Sequence, residues 1–164
     1  MKKYILSAIA IFTIGFVNAQ NAKFGVKAGG VFASSKIMIG DPNTGFYVGG
    51  FSDVAVSEKF HVQPEVSYVY IKELSQIQVP VLAKIPVIED FSLFAGPDFG
   101  FILNAGSNVK SFNFGLDFGA SVDISEDFSL DAKYNLGLTN LVKDGNSDSS
   151  SKINALFFGL GYKF

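Results

Sequence analysis

The chain has 164 residues, no cysteine, a formal net charge of −2, 48% hydrophobic residues and a mean hydropathy of +0.31. Its length suits one domain. The missing thiols exclude disulfide stapling, thiol nucleophiles and thiolate metal sites, and a sequence without arginine or any basic cluster excludes nucleic acid as a partner.

Lys2 and Lys3 precede an apolar run from Tyr4 to Phe16, and Val17-Asn18-Ala19 places small residues at the −3 and −1 positions of a cleavage site. The run of about thirteen residues is short of the roughly 18 to 20 that a spanning helix needs, so residues 1–19 read as a cleaved signal peptide. Residues 20–164 remain as one domain. No cysteine follows the run to carry a lipoprotein anchor, and losing Lys2 and Lys3 takes the net charge from −2 to −4.

Beyond residue 20 apolar residues recur with period two, in stretches separated by Gly, Asn, Asp and Ser clusters. The pattern predicts strands over 23–33, 45–56, 60–71, 76–87, 91–103, 112–124, 128–138 and 153–164. Each approaches the 9 to 11 residues of a tilted transmembrane strand, about twice the length usual in soluble sheets. Three short connections resemble one another: Val56-Ser57-Glu58-Lys59-Phe60, Val87-Ile88-Glu89-Asp90-Phe91 and Ile124-Ser125-Glu126-Asp127-Phe128. All three suit tight hairpins of about three residues. Connections near 34–44, 104–111 and 139–152 are longer, and the one near 72–75 is shorter. Short turns at one end and loops at the other predict an all-β, eight-stranded antiparallel up-and-down transmembrane barrel, with periplasmic turns and extracellular loops.

The alternation also predicts which face meets lipid. In the last strand Leu156, Phe158, Leu160, Tyr162 and Phe164 share a face opposite Ala155, Phe157, Gly159, Gly161 and Lys163. The sixth strand places Asp117 and Asp123 opposite Phe112, Phe114, Leu116 and Phe118, and the seventh places Asp131 and Lys133 opposite Phe128, Leu130 and Tyr134. Of the 18 Phe, Phe12 and Phe16 belong to the leader; of the rest only Phe51, Phe94 and Phe157 fall on the charged face. An eight-stranded barrel encloses just enough room for side chains or one small ligand, so the Phe-rich face has to be the outer one. Phe60, Phe91, Phe128, Tyr162 and Phe164 then form a membrane-interface girdle at the turn end.

The interior would be polar and filled, with a structural network of Lys27, Asp53, Glu65, Lys84, Asp98, Asp117, Asp131 and Lys133, joined by Asp123 and Lys163. Buried charges pair because isolated ones are too costly to desolvate. His61, the only histidine, shares this face with Gln63 and Glu65. A lone His is a weak metal ligand set, and it points to the lumen, away from the lipid surface where a lipid-modifying enzyme would work. No phosphate-binding glycine loop occurs. The residues therefore predict no catalytic, cofactor or metal site. Pro64, Pro80, Pro86 and Pro97 interrupt strands, which predicts bulges there.

Gln63-Pro64-Glu65-Val66-Ser67-Tyr68, Ile77-Gln78-Val79-Pro80-Val81-Leu82-Ala83-Lys84, Gly96-Pro97 and the terminal Gly159-Leu160-Gly161-Tyr162-Lys163-Phe164 resemble the PorT-like outer-membrane β-barrels of the Bacteroidetes. The Ala19-Gln20 junction is similar to leaders of that phylum. The resemblance implies a bacterial outer-membrane protein in contact with outer-membrane lipid, inserted by the barrel-assembly machinery, which recognises an aromatic final residue such as Phe164. Such a protein would be non-enzymatic, with a structural or surface-interaction role through extracellular loops and an unidentified extracellular or periplasmic protein partner. A secretion or transport accessory is the alternative, and a lipid-modifying enzyme the third reading.

Overall fold

The computed structural model describes residues 22–34, 43–72, 74–106, 109–141 and 152–164. The leader therefore lies outside the described residues. Eight strands follow in order: β1 (Ala22–Ser34), β2 (Asn43–Ser57), β3 (Phe60–Ile71), β4 (Leu74–Ile88), β5 (Phe91–Ile102), β6 (Phe112–Asp123), β7 (Phe128–Gly137) and β8 (Asn154–Lys163). Each pairs antiparallel with the next, and β8 returns to β1 through pairs from Gly25↔Lys163 to Ser34↔Asn154, closing the barrel. The amide of Phe164 donates to the Phe24 carbonyl at 2.9 Å, so the closing seam extends to the final residue. Closure leaves no edge strand with unsatisfied backbone groups, the condition that hydrocarbon imposes on any spanning sheet.

The period-two pattern appears directly as burial. Along β8, Ala155, Phe157, Gly161 and Lys163 turn inward, while Leu156, Phe158, Leu160 and Tyr162 are exposed. Phe51, Phe94 and Phe157 are buried, whereas Phe32, Phe46, Phe112, Phe118 and Phe158 stand on the outside. The outer rings meet across strands: Phe46 with Tyr70 at 5.6 Å, Phe99 with Phe114 at 5.5 Å, Phe101 with Phe112 at 5.5 Å and Phe118 with Tyr134 at 5.3 Å between centroids. These are directly opposed residues in the ladder, where such pairs add about 0.2 to 1 kcal/mol each.

Three expectations need correction. Glu58-Lys59 and Glu89-Asp90 form two-residue turns, while residues 124–127 span four, so the short connections are not all alike. A register shift accompanies each two-residue turn, between Ala55 and Ser57 and between Pro86 and Ile88, where one extra residue lets the strands enter the turn.

The predicted bulge occurs at Pro86 but not at Pro64, Pro80 or Pro97. Pairing of β2 with β3 instead skips from Phe51↔Glu65 to Val54↔Val62 in constant register, missing out Pro64. The β3 and β4 ladder skips from Pro64↔Val81 to Ser67↔Gln78, missing out Pro80, and the β4 and β5 ladder skips from Pro80↔Asp98 to Ala83↔Ala95, missing out Pro97. A proline has no N–H to give its neighbour, and dropping two rungs without shifting register keeps every side chain on its own face. The three gaps form a diagonal seam across β2 to β5.

Finally, the interior is polar only in part. Its loop end is an apolar plug of Val31, Tyr47, Val69, Ile71, Ile102, Leu141, Ile153 and Phe157, with Leu74, Ala105 and Val109 packed against it. Leu141 and Val109 come from connecting segments, tied down by Lys110 N–H donating to the Leu141 carbonyl at 2.8 Å. Alternation within strands could not reveal residues that fold in from loops.

Candidate functional site

Below the plug the lumen is ionic. Lys27 on β1 is buried and donates to Glu65 Oε1 at 2.7 Å and Asp131 Oδ2 at 2.9 Å. Gln63 Nε2 donates to the same Glu65 oxygen at 2.7 Å. Lys133 on β7 lies 2.8 Å from Asp117 Oδ2 and 3.9 Å from Glu65 Oε2. Asn135, two residues along the inward face, donates to Asp117 Oδ1 at 2.6 Å and Asp98 Oδ2 at 2.9 Å. One continuous chain, Asp131, Lys27, Glu65, Lys133, Asp117, Asn135 and Asp98, thus crosses the lumen and links β1, β3, β5, β6 and β7.

The two lysines are also held by rings. Lys27 Nζ stands 5.0 Å from the Phe51 centroid and Lys133 Nζ 4.9 Å from that of Phe157. Desolvated cation–π contacts of this kind contribute about 2 kcal/mol. Phe157 in turn meets Tyr47 edge-on at 5.4 Å, so the ionic layer and the apolar plug share a wall.

Room for this network comes from inward glycines. A Cβ on Gly159 would collide with the Tyr47 hydroxyl, and one on Gly25 with the Phe51 ring. On the outer face, by contrast, a Cβ on Gly30 meets nothing.

Nearer the turn end, Asp53 joins His61 Nδ1 at 2.6 Å and Lys84 Nζ at 3.4 Å. Lys163 pairs with Asp123 at 2.7 Å beside the rim. All eight residues expected in the network line the interior, but in two groups: Asp53 and Lys84 stand with His61, apart from the other six. The alternation that carries Asp131 and Lys133 inward carries Asn135 with them, but it shows nothing of the bridge that Asn135 makes between two carboxylates. Spacing shows the face a residue occupies and not the strand across the lumen that it reaches.

Phe60, Phe91 and Phe128 each open a strand directly after a short turn, and Tyr162 and Phe164 lie at the same end of the barrel. Phe128 and Tyr162 are 5.0 Å apart and Tyr162 and Phe164 6.3 Å, forming a patch where the barrel closes. Among the described residues no group of three His, Cys, Asp or Glu side chains is arranged to hold a metal ion.

The family described as outer membrane protein beta-barrel domain matches residues 70–143. None of the curated proteins matches the chain. Among solved structures, a de novo designed transmembrane β-barrel superposes with TM-score 0.57 at 14% identity, covering 88% of this chain and 98% of its own. Neisserial surface protein A gives 0.55 at 17%, covering 87% and 97%. Ail, the attachment invasion locus protein of Yersinia pestis, solved with the heparin analogue sucrose octasulfate, gives 0.56 at 15%, covering 88% and 100%. These likenesses establish the fold, a closed eight-stranded transmembrane type of barrel. Together with the family match and the uncharged Phe-rich exterior, it locates the chain in the bacterial outer membrane.

Proposed function

We propose that the chain is a non-enzymatic envelope protein of the PorT-like type, exported by cleavage after Ala19, that works through its extracellular loops as a surface-interaction module. The observation that carries this reading is the side-chain-filled interior seen among the described residues. Ion pairs cross the middle of the lumen and an apolar plug closes its loop end, which disfavours solute passage. Function then falls to the surfaces, and the loop segments offer polar side chains carried on the barrel frame.

Ail was solved with a polyanionic ligand, which supports reading barrels of this fold as surface binders. The loops here carry both signs, Lys36 and Asp41 in one and Lys143, Asp144, Asp148 and Lys152 in another, so a protein of mixed charge suits them better than a polyanion. The lipid-modifying alternative is weakened by His61, whose ring is engaged by Asp53 inside the barrel. Insertion by the barrel-assembly machinery fits this reading, with the apolar outer face of β8 carrying Leu156, Phe158, Leu160 and Tyr162.

In planar bilayers the purified protein should give no stable ion-selective steps; such steps would favour the transport alternative. Photocrosslinkers in the 139–152 loop should capture a protein partner on whole cells, and labelling of lipid alone would remove the interaction role. An altered lipid profile on overexpression that disappears in His61→Ala would revive the enzyme reading.

A further inference from the structure

The central ionic layer is not neutral. The ammonium groups of Lys27 and Lys133 face four carboxylates, those of Glu65, Asp98, Asp117 and Asp131. Asp98 is the unbalanced member: it is 1% exposed, its Oδ2 accepts only from the neutral Asn135 amide, and among the described residues no lysine pairs with it. Its Oδ1 has no hydrogen-bond partner.

Three more buried oxygens nearby also lack a donor: Gln76 Oε1, Gln78 Oε1 and Asn113 Oδ1, each on a side chain 1% exposed. The register places all four residues within two ladder positions of Gly100. Gln78 and Asn113 are the direct cross-strand partners of Gly100, Asp98 stands two residues before it on the inward face, and Gln76 pairs with Ile102 two residues after it. A Cβ at Gly100 would lie 3.3 Å from Asn113 Cβ and 3.5 Å from Gln76 Oε1, so the glycine leaves open the space between these two side chains.

One carboxylate and three amide oxygens, with no nitrogen or sulfur ligand, form a donor set for a hard cation. Two positive charges would balance the two surplus carboxylates. We propose that the lumen binds a hard divalent cation between Asp98, Gln76, Gln78 and Asn113 over Gly100. Calcium fits better than magnesium, because it accepts several carbonyl oxygens in irregular geometry, whereas magnesium demands near-ideal octahedra and keeps its waters. Enclosed by the plug above and the ion pairs beside it, the ion would be captured as the barrel closes and exchange slowly.

The test is to refold the mature chain in detergent with calcium, magnesium or sodium chloride, pass it through a desalting column, and measure bound metal by mass spectrometry. Calcium, or failing that magnesium, should remain in stoichiometric amount, and Asp98→Asn should reduce it to background while Asp123→Asn at the rim retains it. If Asp98→Asn does not fold, Gly100→Ala decides, since its methyl crowds Asn113 and Gln76 without a severe clash; it should fold by gel mobility and lose the ion. Retention of sodium alone, or of no ion, would overturn the proposal, as would retention unchanged in Gly100→Ala, which would place the metal on the acidic turns.

Discussion

At the residue scale, Lys133 shows why the lumen is ordered. Its ammonium group serves both Asp117 and Glu65 and lies over Phe157, in a layer already rich in carboxylates. Lys133→Met keeps the bulk but leaves Asp117 buried without a cation, a change expected to cost about 3 to 5 kcal/mol. Urea titration of reversible folding into lipid vesicles measures this, and adding Asp117→Asn should restore part of the loss; an unchanged midpoint in Lys133→Met would mean that the network contributes little. Glycine offers a complementary contrast. Gly159→Ala drives a methyl into the Tyr47 hydroxyl and should cost about 1 to 3 kcal/mol. Gly30→Ala on the outer face should stay within about 0.5 kcal/mol. Equal effects at both sites would contradict the assignment of inner and outer faces.

Among the elements, the strands were legible because a membrane barrel imposes two opposite solvents on one backbone. Lipid outside and a narrow polar lumen inside force strict alternation, so β6, with Asp117 and Asp123 opposite its Phe residues, displays its orientation in its sequence. Connections carried no such pressure. Leu141 and Val109 fold into the plug from segments whose polar composition reads as loop, and Lys72, at φ 32°, turns between β3 and β4 with no glycine to mark it. Prolines misled for a different reason. A bulge is one way to accommodate a missing N–H, but it would turn all later side chains to the wrong face; dropped rungs in constant register avoid that. The diagonal seam through Pro64, Pro80 and Pro97 should therefore open most readily. Hydrogen exchange by NMR in nanodiscs should show less protection at Ser52, Asp53, Val81 and Leu82 than along β7 and β8, and uniform protection would contradict the seam.

Over the whole molecule, the candidate site was legible as a set of charges and illegible as a circuit. Phase alone placed Lys27, Glu65, Asp98, Asp117, Asp131 and Lys133 inside. Which of them meet depends on barrel curvature and strand stagger, which bring β1 to β3 and β7 across the lumen in ways that no local spacing encodes. The Asp53 and His61 pair formed separately because both lie near the turn end. All of this depends on the Phe-rich face meeting lipid. The chain contains no tryptophan, so single probes can be placed cleanly. Phe118→Trp and Phe51→Trp, refolded into vesicles whose acyl chains carry bromine, report directly on contact with hydrocarbon. Strong quenching at position 118 and little at position 51 is the expected result; the reverse pattern, or a protein that stays monodisperse without detergent, would contradict the account.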